Sequence, residues 1–202
     1  MGKIVADISM SLDGFVTGPD PDLEHGLGRG GEPLHYWVFC EDDPVDTAML
    51  TESTARTGAV VMGRRTFDFV DGPNGWGEDI GYVPGRQSFR PPVFVVTHEA
   101  PRSMRLSGQF SYVTDGVAAA ITLAQTAADG KNVAIMGGAD IVRQAVRQRL
   151  ADELRIHLAP VLLGSGTRLF DGGELQELGQ AGARVSSRAV HLIYRLGPRH
   201  GG

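Results

Sequence analysis

The sequence predicts one α/β domain over residues 1–202, built on a central mixed, mostly parallel sheet. Three observations predict it. Val133, Ala134, Ile135 and Met136 form an apolar run long enough for a buried strand and too short for a helix. Beyond Gly137 and Gly138 the pattern turns helical, with Ile141, Val142, Ala145, Val146 and Leu150 on one face and Asp140, Arg143, Gln144 and Arg147 on the other. Ala59, Val60, Val61 and Met62 repeat the device, entering a helix through Gly63, Arg64, Arg65, Thr66 and Phe67. Val93, Phe94, Val95 and Val96 are a third run without polar alternation, as parallel strands covered on both faces show. Strand–helix alternation through residue 150 completes the case.

The elements follow in order. Residues 3–12 alternate as a strand, with Ile4, Ala6, Ile8, Met10 and Leu12 on one face and Val5, Asp7, Ser9 and Ser11 on the other. The turn Asp13-Gly14 ends it. Residues 15–34 are rich in Gly and Pro, and so long a loop is either a functional lid or a tolerated surface insertion. The aromatic knot at residues 35–39 floors a pocket or staples that loop. Asp43 and Pro44 begin a helix as N-cap and first-turn residue, running to about Arg56 with Val45, Met49 and Leu50 inward and Gly58 as its stop. After the strand at 59–62 and a helix at 65–70, residues 71–92 form a second long loop, where Trp76 is a substrate lid or a surface anchor. The strand at 93–96 ends at Thr97 and His98, and a weaker strand covers 111–114. Asp115 caps a helix that stops by Gly130. Residues 154–158 alternate as a strand, and 183–187 with 190–196 form a hairpin.

Composition narrows the partners. Hydrophobic residues make up 42% and charged residues 21%, an ordinary soluble balance, and the net charge of -5 argues against nucleic acid or an anionic membrane surface. No apolar run reaches the length of a membrane helix, and the first residues lead directly into a strand without a signal peptide, which points to the cytoplasm. Cys40 is the sole cysteine, excluding an internal disulfide and a thiolate zinc cluster. The six histidines show no metal-ligand spacing, and His157 and His191 fall on the polar sides of their strands as solvated or hydrogen-bonded residues. No nucleophile elbow and no phosphate-binding loop ending in Gly-Lys-Ser/Thr is present. Gly164-Ser165-Gly166 is an anion cradle or a simple turn.

Each strand–glycine–helix turn brings free backbone N–H groups and a positive helix end to the carboxyl edge of the sheet. The first also carries two guanidiniums and a hydroxyl, donors suited to a phosphate ester. Together they indicate a dinucleotide across the sheet edge.

These residues resemble the two cofactor-binding turns of dihydrofolate reductases: Val61-Met62-Gly63-Arg64-Arg65-Thr66-Phe67 and Met136-Gly137-Gly138-Ala139-Asp140-Ile141. Ser11-Leu12-Asp13-Gly14, Ala151-Asp152-Glu153-Leu154 and the stretch from Ala159 to Gly166 are closer to the reductase domain of bacterial riboflavin biosynthesis and its stand-alone relatives. The resemblance implies a dihydrofolate reductase-like three-layer fold and NADPH as cofactor. It implies that Gly63, Arg64, Arg65 and Thr66 hold the adenosine phosphate end, with Thr97 and His98 along the adenosine. Gly137, Gly138, Ala139, Asp140 and Ile141 would meet the pyrophosphate and nicotinamide side. It further implies a cis peptide at Gly137-Gly138 and pairing into a homodimer, for which residues 190–196 offer an apolar face at a sheet edge. Two departures stand out. The zinc deaminase signature that accompanies the riboflavin reductase is missing, as is the Pro-Trp before the catalytic carboxylate of dihydrofolate reductases.

The expected activity is NADPH-dependent hydride transfer to a small heterocyclic, pyrimidine- or pteridine-like molecule. The alternatives are a non-catalytic nucleotide-binding protein that keeps the fold and a flavin-using reductase. Asp13, at the root of the first long loop, is the first candidate for a pocket carboxylate, and Asp46, on the first helix, is the second. Asp13 is otherwise a turn residue bonding backbone.

Overall fold

Apolar runs without polar alternation must be covered on both faces, and they meet here as neighbouring parallel strands. The computed structural model describes residues 2–40, 42–76, 90–106 and 110–197. The first half of the chain gives β1 (Ile4–Ser11), β2 (Phe15–Thr17), a 3-10 turn (Glu32–His35), α1 (Tyr36–Phe39), α2 (Pro44–Arg56), β3 (Thr57–Gly63) and α3 (Arg64–Asp71). The second gives β4 (Val93–Val96), β5 (Phe110–Val113), α4 (Gly116–Ala127), β6 (Asn132–Ile135), α5 (Ala139–Arg147), β7 (Glu153–Ala159), β8 (Thr167–Arg168), β9 (Gly179–Val185) and β10 (Val190–Arg195).

The central sheet has eight strands in the order β5-β4-β3-β6-β1-β7-β10-β9. Neighbours from β5 through β7 are parallel, and β10 is antiparallel to both β7 and β9. The sheet is therefore mixed and mostly parallel. Its two faces are covered differently. Ile4, Ala6, Val61, Ile135, Leu154 and Ile156 pack in one cluster with Val117 and Ile121 of α4 and Val142 and Val146 of α5. On the opposite face Val60, Met62, Val93 and Val95 pack with Phe67 of α3, and Trp37 packs with Met49 of α2. Helix, sheet and helix make three layers.

Local chemistry sets the boundaries. The Asp43 carboxylate accepts from the Val45 N–H at 2.8 Å, so α2 begins as expected. Gly58 is not its stop: the chain is already extended at Thr57, and Gly58 lies in β3, where an added Cβ would come within 2.3 Å of the Ala128 carbonyl oxygen. Asp115 holds the N-cap position of α4 without a side-chain capping bond. The long segment after β1 is partly ordered by pairing, since β2 and β8 form a separate two-stranded ribbon. The second long loop is described up to Trp76 and again from Arg90; the rest lies outside the described residues.

One expectation about the sheet edge is corrected. β10 is internal, between β7 and β9, because β9 adds to it as the outer strand. Leu192, Tyr194 and Leu196 pack against the main cluster. The apolar face invoked for pairing of two copies is thus covered.

The alternation also orders the cost of truncations. Leu154 is 1% exposed and Val185 on β9 is 69% exposed. Leu154→Ala is expected to lower unfolding free energy by about 2–5 kcal/mol and Val185→Ala by less than about 0.5 kcal/mol. Urea unfolding monitored by tryptophan fluorescence reads the difference.

Candidate active site

The two glycine turns meet because β3 and β6 are parallel neighbours, with Val61 opposite Ile135. The Met136 N–H donates to the Val61 carbonyl at 2.9 Å, and the Gly63 N–H to the Gly137 carbonyl at 3.2 Å. Glycine is required on both sides. Gly137 has φ +72°, and a Cβ on Gly63 would lie 2.8 Å from Ile141 Cγ1. The Gly137-Gly138 peptide is cis. Thr66 reaches across, its Oγ1 lying 3.3 Å from where a Cβ on Gly138 would sit. Neither Gly63 nor Gly138 caps its helix with a side chain, leaving the first-turn N–H groups of α3 and α5 available for an anion.

The two arginines differ. Arg64 Nε donates to Asp68 Oδ1 at 2.7 Å, and its Nη1 donates to the Glu99 carbonyl at 2.8 Å. Thr97 is buried and binds the same carbonyl through Oγ1 at 2.7 Å, so Arg64 and Thr97 are tied into one loop anchor. Arg65 is exposed and has no hydrogen bond or ion pair within the described residues. Of the lining arginines Arg64, Arg65 and Arg143, it alone is unengaged within the described residues. Asp140 accepts from Gln144 Nε2 at 2.7 Å and stands 3.7 Å from Arg143.

A cavity of about 1330 Å³ joins these parts. Gly63, Arg64, Arg65, Thr66, Thr97, His98, Gly137, Gly138, Ala139, Asp140 and Ile141 all line it, so every expected cofactor-binding residue reaches one space. Residues of the first long loop, including Leu23, His25 and Leu27, form part of its wall, as does Trp76 from the second. The aromatic knot is represented by His35, Trp37, Val38 and Phe39.

The cavity also reaches a polar patch on the sheet. β1 and β7 place Ser9 opposite His157, and β10 places His191 opposite the same His157. His157 and His191 are 2% and 0% exposed, so they are hydrogen-bonded rather than solvated. Their Nδ1 atoms are 2.7 Å apart. His157 Nε2 lies 2.8 Å from Asp7 Oδ1, and His191 Nε2 lies 2.8 Å from Asp46 Oδ1. Trp37 covers the pair, its ring centroid 4.0 Å from that of His157, and its Nε1–H donates to Ser9 Oγ at 2.9 Å. Burial pushes the Asp7 carboxyl up, but the charge and hydrogen bond of His157, with Arg155 nearby, outweigh it and hold it below the ordinary range. Burial and the charge of His157 push His191 down, against the opposing pull of Asp46.

The two expected carboxylates lie elsewhere. Asp13 does not line the cavity. Its Oδ1 accepts from Ser11 Oγ at 2.6 Å and from the Leu163 N–H at 3.1 Å, and its Oδ2 from the Gly164 N–H at 2.7 Å. Those bonds, Ser11 first, hold its carboxyl down at about 2. It is a turn residue that pins the loop after β7, and Gly164 is the partner of that turn. Asp46 is 1% exposed and sits behind His191, also outside the cavity lining. The carboxylate of the buried patch that does reach the cavity is Asp7. The sequence held a signal for it. Asp7, Ser9 and His157 recur at every second position of strands otherwise covered on both faces, but only register shows that they meet.

Comparison with known proteins gives one family. The model of the RibD C-terminal domain matches residues 2–192. The uncharacterized protein YyaP of Bacillus subtilis is 22% identical, with 95% of this chain and 94% of that protein covered. Among solved structures, a candidate riboflavin biosynthesis protein of Shewanella sp. PV-4 superposes with a TM-score of 0.67 at 21% identity, over 97% of this chain and 99% of that one. A pyrimidine reductase-like protein of Corynebacterium diphtheriae gives 0.63 at 15% identity, over 98% and 92%.

His35 makes the site sensitive to acid. Burial, assisted by the charge of His157, lowers its pKa from 6.5 to about 4. The unfolded chain therefore takes up a proton below about pH 6.5 that the folded chain refuses until about pH 4, so stability is full above that window and falls as pH drops through it. His191 shifts in the same direction. The urea midpoint is expected to decline across this window, and His35→Gln to decline less steeply.

Proposed function

Because the chain belongs to the RibD C-terminal domain family, we propose that it is an NADPH-dependent reductase that delivers hydride to a small heterocyclic substrate of the pyrimidine or pteridine kind. The observation that carries this reading is the junction of two helix starts without side-chain caps and an arginine with no partner among the described residues, all in one cavity. Such a junction matches a dinucleotide bearing an extra phosphate. Arg65, Thr66 and the start of α3 would hold the adenosine phosphate, Thr97 and His98 the adenosine, and Gly137 to Ile141 the pyrophosphate. When bound, the reduced nicotinamide supplies a hydride. The chain's own share is to orient the substrate and exclude water. Asp7, Ser9 and His157 give the cavity a polar wall that a ring with N–H and carbonyl groups can meet, while Trp37 and Trp76 offer flat apolar surface.

The cofactor reading makes a numerical claim. NADPH differs from NADH by a 2′-phosphate, and hydrogen bonds to a charged group contribute roughly 1.5–3 kcal/mol. A preference for NADPH of about ten- to a hundredfold is expected from one such bond. Arg65→Ala is expected to remove most of it and Arg64→Ala less, since Arg64 is already held by Asp68 and the Glu99 carbonyl. Titration calorimetry with both cofactors decides, and equal dissociation constants for the two would reject the assignment. A screen of pyrimidines and pteridines for loss of reduced nicotinamide absorbance then tests catalysis, and visible absorbance of the purified protein separates a flavin-using enzyme.

A further inference from the structure

Three short contacts in series demand three protons. The two Nδ1 atoms at 2.7 Å cannot both be bare, and each Nε2 faces a carboxylate oxygen at 2.8 Å. Two neutral imidazoles carry only two protons between them. With both carboxylates ionised, the pair must hold one extra proton. The geometry points to a buried proton store made of Asp7, His157, His191 and Asp46, whose cavity end, Asp7, protonates the substrate. This rests on the reductase reading above.

The surroundings fit such a store. Asp46 is sealed, its Oδ1 facing His191 Nε2 and its Oδ2 without a hydrogen-bond partner among the described residues, so the inner end of the series has no route to solvent. Asp7 is the outer end, its side chain 18% exposed. Other charged groups around the chain are engaged. Arg155, opposite Asp7, pairs with Glu153 at 2.7 Å, and Glu153 also binds Lys3 at 2.9 Å. Arg184, opposite His191 on β9, pairs with Glu52 of α2 at 2.8 Å. His35 is held neutral by burial. With these groups engaged, the store places the extra proton on the two imidazoles.

The step balances. A hydride from the reduced nicotinamide forms a C–H bond at the electrophilic carbon of a C=N or C=O group. The π electrons move to the nitrogen or oxygen, which takes a proton relayed through Asp7: the ionised carboxylate accepts the Nε2 proton of His157 and passes it on. Asp7 ends ionised as it began, and the imidazole pair is left neutral. Solvent restores the missing proton through the open cavity after product leaves. Asp7 is the catalytic residue here; His157, His191 and Asp46 are positioning residues acting through it.

Heteronuclear NMR of the ring nitrogens in the full chain reads the store without turnover. Three N–H groups shared by His157 and His191 above pH 6.5 are expected; two neutral rings would overturn the proposal. Asp46→Asn should lower the pH at which the third proton leaves and move the alkaline limb of kcat downward with it. An unmoved limb would count against the store. Asp7→Asn should reduce kcat at least about tenfold, with an unchanged NADPH dissociation constant. If reduction proceeds and Asp7→Asn keeps wild-type kcat, the store is wrong and the reductase reading survives. If no substrate is reduced, the reductase reading fails, and the ring-proton count still decides the store.

Discussion

Six neighbouring strands run parallel, and that constraint decides where chemistry can occur. Parallel strands deliver their carboxyl ends to one edge, so the turns leaving β3, β4 and β6 must collect there. The bond from the Gly63 N–H to the Gly137 carbonyl is the tightest expression of this, since it locks two turns far apart in sequence into one floor. Glycine is kept at Gly63 because Ile141 approaches too closely for a side chain, and at Gly137 because its φ is positive. The same close approach leaves helix-start N–H groups beside a cavity rather than under a side chain.

The half of the sheet beyond β6 follows a different logic. There the face under α1 and α2 is polar, with Ser9, His157 and His191 in one rung and Asp7 beside them. Buried charges are costly unless paired, and an apolar core of similar volume would often be at least as stable. The arrangement is therefore poorly explained as a stabilising device. It is better explained by the cavity that Asp7, Ser9 and His157 share with the two glycine turns. Trp37 shields the imidazoles on one side, and Asp46 closes the chain at the other end.

Much of this was legible in residue patterns. The strand–glycine–helix units, the N-cap at Asp43 and the C-terminal hairpin all depend on local chemistry, and each forms where local chemistry puts it. Partnership across the sheet was not legible. Asp13 looked like a pocket residue because it follows a strand and precedes a long loop, yet its carboxylate turns toward the Leu163 and Gly164 N–H groups. His191 read as solvated or hydrogen-bonded because it alternates with apolar residues on β10, and only β9 outside it and α2 above it decide for the second. In each case the deciding neighbour is about 145 to 151 positions away in the chain. Periodicity carries no information at that range.

The position of β1 bears on how the chain is made. Although it precedes the other described elements in the sequence, β1 occupies the middle of the sheet, between β6 and β7. Val133 and Glu153 are among its partners, so synthesis must pass Val133 before β1 can find either neighbour. Until then β1 and β3 emerge as apolar segments with unpaired edges, the condition under which nascent chains recruit chaperones or associate wrongly. Sheet closure is consequently a late, non-local event in biosynthesis. The polar patch and the glycine-turn floor come into being only when that closure occurs.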